Sequence, residues 1–211
     1  MNKSPVAALL LAIAAYSSSA GAAGGNITGI VGFRQLDSDQ WDPTDTQGML
    51  GAQVDFSYWD FPLHVEFGLR GSSDSGTLGP DEGFADVKQE VGDFTAGIML
   101  IPDYGYVRPY FDLGIATVQL HAKKETSTGD FSDDDSSAGV YVGGGILWRL
   151  TPNFDLGIDA RYLGGTSMRI RLDGPPRNVD VDNYALALKI GYGWDLYRRG
   201  YEPERRRRRP W

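Results

Sequence analysis

The residues that could carry out acid–base chemistry are few. His64 and Glu66 stand two positions apart in an alternating stretch, so their side chains share one face of a strand. A histidine beside a carboxylate can act as a general base with its orienting acid. A hydrolase also needs a nucleophile, and neither Ser57 nor Ser72 forms a recognisable local motif with these two residues. We therefore interpret them as groups that make a structural hydrogen bond, and the sequence predicts no enzyme.

An acidic run is the candidate for metal binding. Asp130 and Asp133–Asp135 could offer carboxylate oxygens to a hard cation. The run lacks the glycine and the terminal glutamate of an EF-hand loop, so we interpret it as a solvated acidic loop. Asp133, Asp134 and Asp135 remain a weak candidate for a metal site, and His121 is predicted to lie on the surface.

No cofactor is expected from the composition or the motifs. The chain has 211 residues, no cysteine and two histidines, which excludes thiolate metal sites and most sites built from imidazoles. Residues 143–145 are three glycines without a following helix, so they do not form a phosphate-binding loop. A composition of 41% hydrophobic and 12% aromatic residues is that of an ordered domain.

The two ends of the chain differ in composition from its middle. Lys3, the apolar run 6–15 and the small residues 18–23 have the layout of a secretory signal peptide. We predict a signal peptide over residues 1–22, with cleavage after Ala20 or Ala22. Residues 198–211 are rich in arginine and are predicted to form a basic periplasmic tail. The acidic excess of the residues between these ends argues against a nucleic-acid partner.

The middle of the chain alternates polar and apolar residues with period 2, which predicts strands with two different faces. The clearest segment is 184–196, where every second residue from Tyr184 to Leu196 is apolar. The pattern therefore predicts an all-β chain of eight strands. The predicted strands are 27–36, 47–58, 62–72, 91–101, 107–118, 138–150, 154–163 and 184–196.

The predicted connections alternate in length. Short turns lie at 59–61, 102–105 and 151–153, and long connections lie at 37–46, 73–87, 121–137 and 164–182. An even strand count with alternating connections is typical of outer-membrane barrels, which have short periplasmic turns and longer external loops. We predict one eight-stranded antiparallel up-and-down transmembrane β-barrel over residues 23–197.

The composition of the polar face indicates which face points inward. It carries many glycines, which suit a crowded eight-strand lumen, and charges of both signs, which suit buried ion pairs. The alternative is a soluble, lipocalin-like barrel with an apolar interior, whose outer face would be richer in lysine, glutamate, threonine and serine. The predicted lumen charge network consists of Arg34, Asp55, Glu66, Arg70, Asp112, Arg149, Asp159, Arg161 and Lys189.

Aromatic residues gather near the predicted strand ends, as the interfaces of a bilayer require. Phe33, Tyr162 and Tyr184 fall near the external rim. An ordinary β core is the alternative explanation, because aromatic residues favour strands in any case. The predicted periplasmic aromatic girdle consists of Tyr58, Phe61, Tyr106, Trp148, Phe154, Trp194 and Tyr197.

At the level of motifs, the chain resembles the small eight-stranded outer-membrane barrels of the OmpA-like and OmpW-like kind. The resemblance covers residues 26–197, with IVGFRQLDSDQWDP at 30–43 and YVGGGILWRLTPNFDLGIDARY at 141–162. The set Lys189, Gly191, Trp194 and Leu196 is similar to the insertion signal that the barrel assembly machinery reads in this family. Here the chain continues beyond Tyr197, whereas the family usually ends at an aromatic residue closing that strand.

The resemblance implies a location in the cell outer membrane and a structural or surface-interaction role. Its expected partners are outer-membrane lipid and lipopolysaccharide, and the barrel assembly machinery during insertion. We expect a monomer whose lumen is filled by side chains. The alternatives are a narrow pore or transporter for small or hydrophobic solutes, as in OmpW-like barrels, and an enzyme that modifies lipid A.

Overall fold

The computed structural model describes residues 24–36, 45–57, 62–77, 86–102, 105–126, 129–170 and 177–194. Across these residues the backbone forms ten strands. They are β1 (Gly24–Leu36), β2 (Thr46–Ser57), β3 (Leu63–Thr77), β4 (Asp86–Leu100), β5 (Val107–Thr126), β6 (Gly129–Arg149), β7 (Phe154–Gly164), β8 (Ser167–Ile170), β9 (Arg177–Asp180) and β10 (Asn183–Trp194). In this part of the chain no helix is long and apolar enough to cross a membrane.

Eight of the described strands close into an antiparallel barrel in the order β1-β10-β7-β6-β5-β4-β3-β2. Apart from the β8–β9 hairpin, each strand pairs with its neighbours in sequence, and β10 pairs with β1 to close the ring. The prediction of an eight-stranded, all-β, up-and-down barrel is confirmed. The predicted signal peptide and the arginine-rich tail lie outside the described residues and remain predictions.

A glycine lies against an aromatic ring at the seam between β1 and β10. Gly25 is the cross-strand partner of both Trp194 and Phe56. A side-chain carbon at Gly25 would lie 2.4 Å from the Trp194 ring, so the absence of one lets the indole cover the backbone. The Phe56 ring meets Trp194 edge-on at 6.3 Å between centroids. Aromatic cover of a glycine pins the register where the sheet closes.

The strands β3 to β6 are longer than predicted. The connection predicted at 121–137 is mostly strand, because β5 and β6 have 20 and 21 residues and pair as far as Thr126 with Gly129. β3 and β4 likewise extend to Thr77 and Asp86. The prediction failed because this extension has polar residues on its outer face, so the apolar alternation that marks the lower barrel disappears there.

The connection predicted at 164–182 contains the hairpin β8–β9, which the sequence pattern did not reveal. Met168 and Val181 are buried in an apolar cluster with inward residues of five barrel strands. This cluster fills the barrel end that carries the long connections. Its members are Leu36, Val91, Ala116, Val118, Leu120, Tyr141, Leu163, Met168 and Val181.

Asp182 ties the base of this hairpin to the barrel. Its Oδ1 accepts hydrogen bonds from the backbone and the hydroxyl of Thr166 at 2.9 and 2.8 Å, and its Oδ2 accepts one from the Gly165 amide. Partial burial would raise the pKa of Asp182, but the hydrogen bonds from Thr166 and Gly165 outweigh it and lower the pKa below its usual range. The carboxylate therefore holds the hairpin at neutral pH.

The two faces of the wall differ as a bilayer-facing barrel requires. Along β10, apolar residues point out and smaller or polar ones point in. Charged and amide side chains are buried inside. The exposed apolar side chains include Ile27, Val31, Phe33, Leu50, Val65, Ile98, Phe111, Ile115, Val140, Ile158, Leu186, Leu188 and Ile190.

Inside the wall, glycines make room for tyrosine rings. Gly97 and Gly114 are cross-strand partners, and Tyr141 is the partner of Gly114 on the next strand. A side-chain carbon at Gly97 would lie 2.1 Å from the Tyr141 hydroxyl. The Tyr141 phenol thus packs directly against the backbone of the two glycines. Small residues of this kind leave room for large rings in an eight-strand interior.

Gly114→Val is expected to prevent folding. Its side-chain carbon would lie 2.3 Å from the Ala96 carbonyl oxygen and 2.7 Å from the Tyr141 hydroxyl. Gly71→Val is the matched control, because a carbon there meets nothing within 4 Å. The measurement is the fraction of refolded protein whose gel mobility changes on boiling. Equal folded fractions for the two variants would contradict this packing.

Candidate functional site

The middle layer of the interior is built around Glu66. Its Oε1 accepts hydrogen bonds from the Tyr141 hydroxyl at 2.5 Å and from Arg161 at 3.2 Å, and its Oε2 accepts one from the Gln53 amide at 2.8 Å. Arg161 also pairs with Asp112, and its guanidinium lies 4.1 Å from the centre of the Tyr141 ring. All five side chains are buried. This layer joins strands β2, β3, β5, β6 and β7.

A second group in the same region is centred on Asp159. Its carboxylate pairs with Arg70 at 3.1 Å and with Lys189 at 2.9 Å, and it accepts a hydrogen bond from the Tyr110 hydroxyl. The Lys189 ammonium lies 4.5 Å from the centre of the Tyr110 ring. Asp159 is fully buried, so its charge is compensated by protein groups alone rather than by solvent.

Two of these contacts join opposite walls. In the order of the ring, β3 and β7 stand four places apart among eight strands, which makes them diametrically opposite. Arg70 on β3 meets Asp159 on β7, and Glu66 on β3 meets Arg161 on β7. Direct contact across the full diameter means that side chains meet at the barrel axis at this depth.

Further pairs lie above and below the middle layer. Toward the long connections, Arg34 pairs with Asp93 and donates to the Ser72 hydroxyl at 3.1 Å. Toward the short turns, Arg108 pairs with Asp155. These side chains are likewise buried.

His64 makes a hydrogen bond in the lumen, but its partner is not Glu66. The Nδ1 atom of His64 lies 2.7 Å from Asp55, while Glu66 bonds with groups deeper in the lumen. Ser57 is the cross-strand partner of His64, yet its buried hydroxyl makes no hydrogen bond with the residues that the structure describes. Ser72 bonds with Gln47 near the other end. His64 therefore does not bond with either serine in the way that a general base bonds with its nucleophile.

The structure brings most of the predicted lumen charges together. Eight of the nine predicted residues are buried on the inner face, and Arg149 is half-buried there near the short turns. Three buried charges were missed by the prediction: Asp93, Arg108 and Asp155. Strand parity alone would have found them, because each stands at an inward position of its strand.

The acidic run belongs to strand β6 rather than to a loop. Because successive strand residues point to opposite faces, Asp133, Asp134 and Asp135 do not converge. Asp134 pairs with the exposed His121, its cross-strand partner, and Asp135 accepts a hydrogen bond from the Arg169 amide at 2.6 Å. Among the described residues no group of three acids or histidines is arranged to hold a metal ion.

The described members of the aromatic girdle lie at the short-turn end. Tyr106 and Phe154 are exposed there, and Phe154 meets Tyr192 edge-on at 5.2 Å. Trp148 and Trp194 are half-buried on the outer face. Tyr58, Phe61, Tyr197 and Leu196 lie outside the described residues, so the girdle and the insertion signal formed with Lys189, Gly191 and Trp194 remain predictions.

Comparison with known families identifies the chain. Residues 6–195 match the family described as outer membrane protein beta-barrel domain. The chain belongs to this outer-membrane β-barrel family. Its location is therefore the cell outer membrane, as the sequence predicted. No curated protein matches the chain.

Solved outer-membrane barrels share the fold. OprG from Pseudomonas aeruginosa is 18% identical with a TM-score of 0.58, over 81% of this chain and 95% of OprG. Ail, the attachment invasion locus protein of Yersinia pestis, is 19% identical with a TM-score of 0.54, over 81% of this chain and 98% of Ail. Neisserial surface protein A is 13% identical with a TM-score of 0.52, over 80% and 95%. At these identities the likeness concerns the fold alone.

Arg161→Leu is expected to destabilise this outer-membrane barrel by about 3–5 kcal/mol, because it leaves Glu66 and Asp112 buried without their cation. Lys88→Leu is the control. It breaks an exposed ion pair with Glu90, which is expected to cost at most about 1 kcal/mol. Urea unfolding in lipid vesicles, followed by tryptophan fluorescence, measures both. Equal stability of the two variants would show that Arg161 does not neutralise lumen acids.

Proposed function

We propose that this outer-membrane barrel has a structural or surface-interaction role, is not an enzyme, and has a lumen that side chains block. The observation that carries the proposal is the pair of contacts across the full diameter, Glu66 with Arg161 and Arg70 with Asp159. An eight-strand lumen is just wide enough for side chains to fill it. Ion pairs that meet at the axis leave no open path for solutes at that depth.

The apolar cluster at the external end supports the same conclusion. The short turns of outer-membrane barrels face the periplasm and the longer connections face outside, so the β8–β9 hairpin belongs to the external side. Met168 and Val181 cover the charged layers from that side, and Asp182 holds the hairpin in place. A solute entering from outside would have to displace packed apolar side chains before it reached the charges.

The contacts of His64, Ser57 and Ser72 in the described part of the chain support a non-enzymatic role. A lipid-modifying hydrolase of the serine type needs a hydroxyl within hydrogen-bond reach of its base. Among the described residues the Ser57 hydroxyl makes no hydrogen bond, and the Nδ1 atom of His64 bonds with Asp55. The imidazole is therefore a structural partner of a buried carboxylate. On this proposal, the function of the barrel depends on its stable wall in the membrane and on the surfaces that it exposes outside the cell.

Bilayer conductance distinguishes this proposal from the alternative of a narrow pore. The purified parent protein in a planar bilayer is expected to give no steady channel currents. The double variant Glu66→Ala with Arg161→Ala removes one bridge across the axis and is expected to give more frequent current events, while Arg169→Ala, outside the lumen, is expected to behave as the parent. Steady channels in the parent would overturn the blocked lumen and favour a transporter.

A further inference from the structure

Two tyrosine rings lie side by side on the outer face of the barrel wall. Tyr162 on β7 and Tyr184 on β10 are cross-strand partners, and their ring centroids lie 4.8 Å apart with an interplanar angle of 39°. The other ring contacts between described residues join a phenylalanine with Trp194 or with Tyr192. Two phenols at this separation are close enough to be joined by a carbon–carbon bond between ring positions next to their hydroxyls.

Both rings are open to small molecules from outside the barrel. Tyr184 is 54% exposed and Tyr162 is half-buried. They border a groove of about 420 Å³ on the outer face. Gly164 leaves room for the Tyr162 ring, because a side-chain carbon there would lie 2.8 Å from it. This pair is therefore accessible, whereas Tyr110 and Tyr141 are enclosed in the lumen.

A carboxylate stands beside one of the two phenols. The Tyr162 hydroxyl donates a long hydrogen bond to Oδ2 of Asp182 at 3.4 Å. Asp182 is ionised at neutral pH, since its pKa lies below the usual range. A phenol that loses an electron becomes strongly acidic, so an oxygen that already accepts its hydrogen bond can take the proton. Tyr162 thus has a proton acceptor in place for its oxidation.

The two tyrosines stand on either side of the hairpin β8–β9 in the chain. Tyr162 precedes the hairpin and Tyr184 follows it, so a bond between the rings would close residues 162–184 into a covalent loop. A cross-link of this kind restricts the unfolded chain, as a disulfide does. The chain has no cysteine, so a disulfide cannot hold this segment. A tyrosine cross-link would tie β7 to β10 at the base of the hairpin that covers the lumen.

We propose that Tyr162 and Tyr184 form an oxidative modification site, at which a one-electron oxidant joins the two rings as dityrosine. Each phenol gives one electron to the oxidant and releases one proton, Tyr162 to Asp182 and Tyr184 to water. The two phenoxyl radicals couple at ring carbons next to their oxygens. The hydrogens on those carbons then move to the oxygens, which restores both hydroxyls. One carbon–carbon bond has formed, and two electrons and two protons have left.

The oxidant that fits this balance is hydrogen peroxide activated by a haem peroxidase. One peroxide accepts both electrons and both protons and forms two molecules of water. The proposal goes beyond the structural role by adding a covalent modification to the external side. It does not depend on whether the lumen conducts, because both rings lie on the outer face.

The test is photo-oxidation of the refolded full-length barrel in detergent with tris(bipyridyl)ruthenium(II) and persulfate, of which one molecule accepts the two electrons. Trypsin then cleaves after Arg161, Arg169, Arg177 and Lys189. The expected product is peptide 162–169 joined to peptide 178–189, two hydrogen atoms lighter than their sum and with dityrosine fluorescence. Absence of this product, or its occurrence only in dimer bands on a denaturing gel, would overturn the site.

Tyrosine variants show whether the cross-link is specific. Tyr162→Phe and Tyr184→Phe keep an aromatic ring and are each expected to abolish the product. Tyr106→Phe is the matched control, because Tyr106 is exposed at the short-turn end, and it is expected to leave the yield unchanged. A change of gel mobility on boiling verifies that each variant is folded. Equal loss of product in Tyr106→Phe would contradict a reaction confined to the pair.

Asp182→Asn tests the proton acceptor. It is expected to lower the initial rate of cross-linking at least about tenfold, because a positioned base is lost. Thr166→Val removes a hydroxyl that bonds with Asp182 but keeps the carboxylate, so it is expected to react at the parental rate. A parental rate for Asp182→Asn would overturn the acceptor, and equal slowing by Thr166→Val would assign Asp182 a purely structural role.

The cross-link is also expected to stabilise the barrel. After the same photo-oxidation, the parent is expected to unfold at a higher urea concentration than Tyr184→Phe, because the closed loop restricts its unfolded chain. Without photo-oxidation the difference between the two proteins is expected to be smaller. Urea unfolding in lipid vesicles measures both differences. Equal differences before and after oxidation would show that the cross-link does not stabilise the fold.

Discussion

The structure depends on the neutralisation of buried charge within a ring of eight strands. A carboxylate or guanidinium removed from water costs several kcal/mol unless partners replace its hydration. The ring is narrow enough for side chains on opposite walls to reach each other, as Glu66 and Arg161 do. The inner face can therefore be polar, which leaves the apolar residues for the outer face and the bilayer. The closed fold and the outward-facing apolar surface follow from the same constraint.

Glycine has different roles on the two faces of this wall. Inside, Gly97 and Gly114 make room for the Tyr141 ring, whose hydroxyl bonds with Glu66, so small residues allow the charged layer to pack. Outside, Gly48, Gly71 and Gly92 face open space at the edge of the apolar band. The inner set is explained by contacts within the chain. The outer set has no such contacts, so packing within the wall does not require glycine there.

Strand periodicity predicted the architecture because each barrel strand has one apolar and one polar face in the membrane. The same rule identified buried charges such as Asp112 and Lys189 without structural information. It could not assign partners. His64 bonds with Asp55 on the neighbouring strand, which depends on register, and Glu66 bonds with Arg161 across the lumen, which depends on strands far apart in sequence. It also missed the extension of β5 and β6 and the β8–β9 hairpin. Beyond the apolar band the outward positions of β5, such as Gln119 and His121, are polar and the inward positions, such as Leu120 and Ala122, are apolar. The alternation that marks the lower strands is therefore reversed there.

The central claim is that the polar face lies inside and the apolar face meets lipid. Because the chain has no cysteine, single cysteines can be placed at successive positions 185–190 of β10 and labelled with a fluorophore in lipid vesicles. A quencher dissolved in the acyl chains is expected to act on labels at Leu186, Leu188 and Ile190, and to spare those at Ala185, Ala187 and Lys189. The reverse alternation, or quenching without any period, would contradict the inward assignment and with it the charge-neutralised lumen.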